Sequence, residues 1–252
     1  MDHPTATDIT STTAPDRLRS LHFVGIGGAG MSGIALVLHD QGYRITGSDL
    51  KSSRYVTLLE QAGVPVSIGH SAKNLDHPDV VVISSAIPAH NVEVQEAERT
   101  GVAVVKRAQA LAWIMEAGRG VAVCGTHGKT TTTSMISRVL VDGGYDPTFL
   151  VGGELNDLGS NARRGAGEFV VCEADESDGS LLYLSPEVAV LTNMELDHHS
   201  HYRHVEDVED VFRRFLERLP AHGLLVYCGE DQRVKRLAGR VERRACSYGF
   251  SD

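Results

Sequence analysis

Short runs of Val and Ile, closed by Gly, Ser, Asp or Pro, alternate along this chain with longer stretches in which apolar residues recur at helical spacing. A short apolar strand opens the ordered part, just before the glycines of Leu21-His-Phe-Val-Gly-Ile-Gly-Gly-Ala-Gly-Met-Ser-Gly33, and a second strand lies in Tyr43-Arg-Ile-Thr-Gly-Ser-Asp49. The pattern then predicts a helix near Val56–Ala62, strands at Val64–Ile68 and Val80–Ser84, a helix at Val92–Arg99, a strand at Val102–Val105 and a helix at Ala108–Ala117. Apolar strand runs without alternation imply a sheet covered on both faces, hence parallel strands with helical crossovers. After Gly118-Arg-Gly120 the alternation restarts. Strand Val121–Cys124, a helix beginning near Lys129, strands Phe169–Cys172 and Val188–Leu191, an amphipathic helix Val205–Leu219 and strand Leu224–Cys228 follow.

The expected fold class is therefore α/β: an N-terminal Rossmann-like parallel-sheet domain over residues 18–118, then a P-loop type α/β domain over 119–252. Residues 1–17, rich in Thr, Asp and Pro, are expected to form a flexible tail. The second domain is expected to be incomplete, because another apparent strand through Cys246-Ser-Tyr-Gly249 comes with no closing helix.

Length and composition narrow the class of partner. A chain of 252 residues with 42% apolar content can bury a full core, and its formal charge of −9 argues against a surface built for nucleic acid. No run approaches the length of a membrane span, and no basic segment followed by an apolar one opens the chain. Cys124, Cys172, Cys228 and Cys246 form no C-x-x-C pair and read as buried free thiols in a reducing compartment, the cytoplasm.

The strongest chemical signal is Val121-Ala-Val-Cys-Gly-Thr-His-Gly-Lys-Thr-Thr-Thr-Thr133. Gly125 and Gly128 let backbone N–H groups converge on phosphate oxygens, Lys129 adds a point charge, and Thr130 offers a hydroxyl to Mg²⁺ where a helix begins. The expected ligand is ATP. The loop departs from G-x-x-x-x-G-K-[ST], since Val123 stands where the first glycine would be. Thr131, Thr132 and Thr133 could pack or cap the first turn, and His127 could be a spacer. Glu173, at the end of strand Phe169–Cys172, is placed to meet the nucleotide's Mg²⁺. Asp175, Glu176 and Asp178 read instead as a solvated acidic turn.

Gly25, Gly27 and Gly30 fit G-x-G-x-x-G after a strand, and Asp49 stands 19 residues beyond Gly30, at the end of the next strand. This describes a ribose-diphosphate site, NAD being one such ligand. His198, His199, His201 and His204 cluster after strand Val188–Leu191. A loop this short does not easily wrap a zinc ion tetrahedrally, so one histidine facing the phosphates with the others on the surface is the preferred reading. Trp113 and Met115 read as core, and Cys124 as a buried thiol beside the phosphate loop.

Together these motifs, with Ser84-Ser-Ala-Ile-Pro88 and Thr192-Asn-Met-Glu-Leu-Asp-His198, resemble the Mur ligases of bacterial cell-wall synthesis, their alanine-adding branch in particular, from about Leu18 to the last residue. The shortened phosphate loop is a signature of that family. The resemblance implies an ATP- and Mg²⁺-dependent ligase that joins L-alanine to UDP-N-acetylmuramate through an acyl phosphate. It replaces NAD by the UDP-sugar, with Gly27, Gly28, Ala29, Gly30, Met31 and Ser32 around the diphosphate and Asp49, His70 and Ser84 near the uridine. It puts Gly125, Thr126, His127, Gly128, Lys129, Thr130 and Thr131 around ATP, with Lys129, Glu173 and His198 as catalytic residues. Thr130, Glu173 and His198 would be the Mg²⁺ ligands, His198 at a second ion. Asn161 and Asn193 are candidates for substrate or loop contacts. Several members carry a metal-bridging lysine beyond the histidine matching His198; here no lysine lies between Lys129 and Lys235, and Arg213 stands near that position. The family's C-terminal domain is not found in the sequence, so the expectation is a fragment that binds the UDP-sugar without completing ligation; a peptide-adding recycling ligase shares the same N-terminal motifs.

Overall fold

In the computed structural model, residues 17–152, 160–177, 179–196, 202 and 204–250 are described. The expected tail apart from Arg17, and Asp178, His198, His199 and His201, lie outside them. The chain divides into two compact units. One gathers the described residues up to Ile114 together with Ser160–Arg164, and the other takes the described residues from Met115 on, apart from that segment.

The first unit contains β1 (Ser20–Val24), α1 (Ala29–Asp40), β2 (Arg44–Asp49), α2 (Arg54–Gln61), β3 (Val66–Ile68), β4 (Val80–Ile83), α3 (Val92–Thr100), β5 (Ala103–Lys106) and most of α4 (Arg107–Glu116). Its strands run parallel in the order β3-β2-β1-β4-β5, with Leu21 opposite Ile45 on one side and Val80 on the other. Because β1 lies between β2 and β4, the strand order reverses at its C-terminal end, where an open parallel sheet leaves a crevice for a ligand. The glycine turn occupies that end, and Gly25 and Ile26 N–H both donate to Ser48 O, at 2.8 and 3.0 Å. Helix α1 then buries Met31, Ile34, Ala35, Val37 and Leu38. Side chains of Ser53 and Asn91 cap α2 and α3.

The second unit holds β6 (Arg119–Cys124), α5 (Lys129–Asp142), β7 (Thr148–Leu150), β9 (Phe169–Glu173), β10 (Val188–Leu191), α6 (Val205–Leu216), β11 (Leu224–Cys228), α7 (Gln232–Ala238) and β12 (Arg244–Tyr248); the short β8 (Ala162–Arg163) is counted with the first unit. Its parallel strands follow the order β12-β11-β10-β6-β9-β7. Strand order again reverses at β6, so the loop leaving β6 opens onto a second crevice. Val121, Val123, Phe149, Val151, Val171 and Val190 form a buried cluster in this unit, and α6 turns Val208, Phe212, Phe215 and Leu216 inward.

Two details add to the pattern read from the sequence, and a third, the exposure of the cysteines, corrects it. Gly118 and Gly120 are packed positions: a Cβ on Gly118 would meet Glu168 O at 2.5 Å and one on Gly120 would meet Met115 Cγ at 2.6 Å. These glycines allow close backbone approach, and β6 already begins at Arg119. Helix α7, capped by the Asp231 carboxylate, intervenes between β11 and β12. Of the cysteines, which are all free, Cys124 and Cys172 are buried while Cys228 is half-buried and Cys246 exposed, because β12 presents its side chains to solvent.

Candidate functional site

The phosphate loop is built on the end of β6. Gly125 has φ +128° and its α-carbon faces the segment after β10, where a Cβ would lie 2.1 Å from Thr192 Oγ1. That segment clamps the loop. Thr126 N–H donates to Asn193 O at 3.2 Å and His127 N–H to Asn193 Oδ1 at 2.8 Å. Thr192 Oγ1 and Asn193 Nδ2 both donate to His127 O, at 2.7 and 2.9 Å, while Thr126 Oγ1 donates to Glu195 O at 3.1 Å and lies 3.0 Å from Glu195 N. Asn193 is thus a loop clamp, and His127 serves through its backbone, its ring being exposed near Glu195.

Helix α5 starts after Gly128 with no side-chain cap. Its first-turn N–H groups are the kind of donors that anions take, reinforced by the helix dipole. Lys129 Nζ lies over the loop, 2.7 Å from Gly125 O and 3.2 Å from Thr126 O. Thr130 Oγ1 donates to Glu173 Oε2 at 3.2 Å, and Glu173 Oε1 accepts from Gly152 N–H at 2.6 Å. A threonine hydroxyl and a carboxylate side by side are hard oxygen donors, the chemistry that suits Mg²⁺. The donor set fits that ion, and Thr130 and Glu173 touch beside Lys129. Thr131 is exposed on the same turn.

Glu176 overturns the expectation of a solvated acidic turn. It is 1% exposed, and its carboxylate accepts from Lys129 Nζ at 2.9 and 3.1 Å. Burial pushes its carboxyl up from the usual range, against the pull of Lys129. The chain folds back here through the 3₁₀ turn Ser180–Tyr183, with Leu181 N–H and Ser180 Oγ bonded to Asp175 O, and this turn draws the acid inward. The signal available in sequence was the apolar Leu181-Leu182-Tyr183, which follows the acids after Gly179 and Ser180. Burial likewise pushes the Cys124 thiol up, as an inert core cysteine requires.

In the first unit, Gly27 N–H donates to Asp49 Oδ2 at 2.8 Å, and Ser53 Oγ donates to Gly27 O at 3.2 Å. Asp49 therefore fixes the glycine turn. Gly28 and Ala29 lead into α1, and Asn161 Nδ2 donates to Ala29 O at 2.8 Å. The Met31 side chain is buried, and Ser32 spends its N–H on Gly28 O and its hydroxyl on Ala29 O, so both hold the helix start from inside. Ser84 lies beside Gly25. A residue missed in sequence is Arg107, whose Nη1 comes within 2.6 Å of where a Cβ on Gly30 would stand. It places a cation at the turn read as the diphosphate site, although it lies more than seventy positions along the chain from Gly30.

His70 sits over a buried polar cluster. Its Nδ1 is 2.9 Å from Ser48 Oγ and 3.5 Å from Glu93 Oε2, while His22 Nε2 is also 3.5 Å from Glu93 Oε2. Glu93 accepts from Ser48 Oγ at 2.5 Å, Asn74 Nδ2 at 2.5 Å and Ser71 N–H at 3.1 Å. Burial opposes ionisation of Glu93, yet the His22 imidazole and these hydrogen bonds prevail and lower its pKa from 4.5 to about 2. An acid depressed by folding contributes stability that is complete above its unfolded value and is lost as pH falls towards its folded one. The expected result is a melting temperature that drops between pH 4.5 and pH 2 with a steeper acid limb in the parent than in Glu93→Gln; parallel limbs in circular-dichroism melts would show that Glu93 carries no such linkage.

A parallel α/β unit with a glycine turn at its switch point is joined in one chain to a second that carries a lysine-threonine-acid phosphate loop. Residues 20–119 match the family described as Mur ligase family, catalytic domain, and residues 123–252 match the Mur ligase middle domain; the chain belongs to the Mur ligase family. It is 50% identical over 235 residues to the UDP-N-acetylmuramate--L-alanine ligase of Geobacter sp. (strain M21), an alignment covering 93% of this chain and 51% of that protein. The similarly named protein of Rubrobacter xylanophilus is 53% identical over 231 residues, covering 92% and 52%. The chain spans about half the length of the curated relatives it matches. Among solved structures, a UDP-N-acetylmuramate:L-alanyl-gamma-D-glutamyl-meso-diaminopimelate ligase from Neisseria meningitides superposes with TM-score 0.84 at 29% identity, covering 92% of this chain and 78% of that one. The UDP-N-acetylmuramate-alanine ligase of Thermotoga maritima gives 0.78 at 32%, covering 86% and 51%.

Proposed function

We propose that this chain carries the UDP-N-acetylmuramate-binding and ATP-binding portions of a ligase that joins L-alanine to UDP-N-acetylmuramate in peptidoglycan precursor synthesis. The observation that carries this reading is the gathering of Lys129, Thr130 and Glu173 at the start of α5. The names of the relatives at about half identity supply the substrates. The reaction would pass the γ-phosphoryl group of ATP to the lactyl carboxylate, giving an acyl phosphate, and the amine of L-alanine would then displace phosphate to form the amide. Mg²⁺, when bound, would neutralise charge gathering on the transferring phosphoryl group. The chain's own contribution is positional: uncapped N–H groups and Lys129 orient the phosphates, Thr130 and Glu173 hold the ion, and the Thr192–Glu195 segment keeps the loop rigid. In the first unit, Gly27 to Gly30 would receive the diphosphate with Arg107 beside them, and His70 and Ser84 would face the uridine.

The substrates are soluble nucleotides and an amino acid, and no helix among the described residues is long and apolar enough to cross a membrane; the cytoplasm is the compartment this reading assigns. The likeness to the Neisseria protein favours one second reading, a ligase that adds a peptide in place of L-alanine. Calorimetric titration of the chain with UDP-N-acetylmuramate, with NADH as comparison and both repeated with MgATP, tests the reading. Saturable binding of the UDP-sugar and none of NADH is expected; binding of NADH alone would return the glycine turn to the dehydrogenases.

A further inference from the structure

A lysine ammonium has three hydrogens to donate, and at Lys129 all find acceptors within the protein: Gly125 O, Thr126 O and the Glu176 carboxylate. The side chains of Lys129 and Glu176 are 14% and 2% exposed, so their attraction is weakly screened. Glu176 is itself fixed. Its backbone carbonyl accepts from the Tyr202 hydroxyl and from Gly179 N–H, the latter at 3.0 Å.

We infer that Glu176 is a latch on the phosphate-loop lysine, a positioning residue that keeps Lys129 folded onto Gly125 and Thr126 and that a triphosphate must displace to bind. The inference rests on the ATP reading above and deepens it. Two physical effects oppose the incoming nucleotide. The Glu176 carboxylate repels phosphate oxygens that approach the ammonium it already holds, and drawing Lys129 toward those oxygens leaves a buried anion with a weakened partner. Glutamine at this position keeps the length and one acceptor oxygen, so Lys129 stays oriented while both opposing effects disappear. Aspartate keeps the charge and withdraws it by one methylene.

The test is calorimetric titration of the chain and its variants with Mg²⁺ and a non-hydrolysable ATP analogue. Glu176→Gln is expected to bind about tenfold tighter than the parent, and Glu176→Asp to fall between them. A purely structural acid would give the opposite sign, since its loss would loosen the loop. Unchanged or weaker binding by a folded Glu176→Gln variant therefore overturns the latch. If circular dichroism shows that this variant does not fold, Glu176→Asp decides, and weaker or equal binding there overturns it as well. Absence of binding by the parent and by both variants would defeat the ATP reading, and the latch with it.

Discussion

Lys129→Ala is expected to lower the affinity for MgATP by about a hundredfold or more and to abolish phosphoryl transfer, while leaving UDP-N-acetylmuramate binding unchanged. The lysine is the charged member of the phosphate loop, and the helix N–H groups alone offer only partial charges. UDP-sugar binding is assigned to the first unit, of which Lys129 is no part. The substitution has a second effect that must be separated from the first. It strands Glu176, a buried acid, and breaking a buried pair on one side typically costs about 3–5 kcal/mol. The double variant Lys129→Ala with Glu176→Gln should recover much of that stability in urea unfolding without recovering nucleotide binding. Calorimetry on both proteins reads the two effects apart. Loss of UDP-sugar binding together with ATP binding in the stabilised double variant would sink the assignment of two separate sites.

Much of this arrangement was legible in the sequence because its signals are local. Strands such as Val80–Ile83 and Val188–Leu191 are apolar on both faces, which only a covered parallel sheet accommodates. The two glycine loops require particular backbone conformations, and the residues that deliver Lys129 and Thr130 follow directly in sequence. What escaped depends on contacts between distant segments. Glu176 looks like one acid among several until the turn after it folds back onto Asp175 O, and nothing in local composition distinguishes it from Asp175. Arg107 opens α4 far along the chain from Gly30, and only the sheet order brings them together. Asp49, placed by its position at the end of β2 as a ribose ligand, also accepts from Gly27 N–H, a contact across the turn that spacing along the chain does not reveal. Helix α7 was overlooked because Gln232–Ala238 is too short for its period to stand out.

Gly125→Ala is expected to destabilise the second unit by about 2–5 kcal/mol and to remove MgATP binding in the molecules that still fold. At φ +128° an L side chain is strained whatever surrounds it, and here the surroundings are closed as well. The new methyl would stand 2.1 Å from Thr192 Oγ1 and 3.0 Å from both the N and the O of Asn193. Relief would have to come from the segment that clamps the loop, so the hydrogen bonds from Thr192 and Asn193 to His127 O would be the first to give. Gly128→Ala is the matched control. Its φ of +81° also disfavours a side chain, but nothing lies within 4 Å of the added carbon. It should cost only the backbone strain of a left-handed residue, about 1–2 kcal/mol. Urea unfolding followed by circular dichroism, with hydrogen exchange at the amides of β6 and β10, separates the two variants. If Gly125→Ala proves no more destabilising than Gly128→Ala, the loop must yield to the methyl without disturbing Thr192, and the rigid clamp on which the site's geometry depends would have to be abandoned.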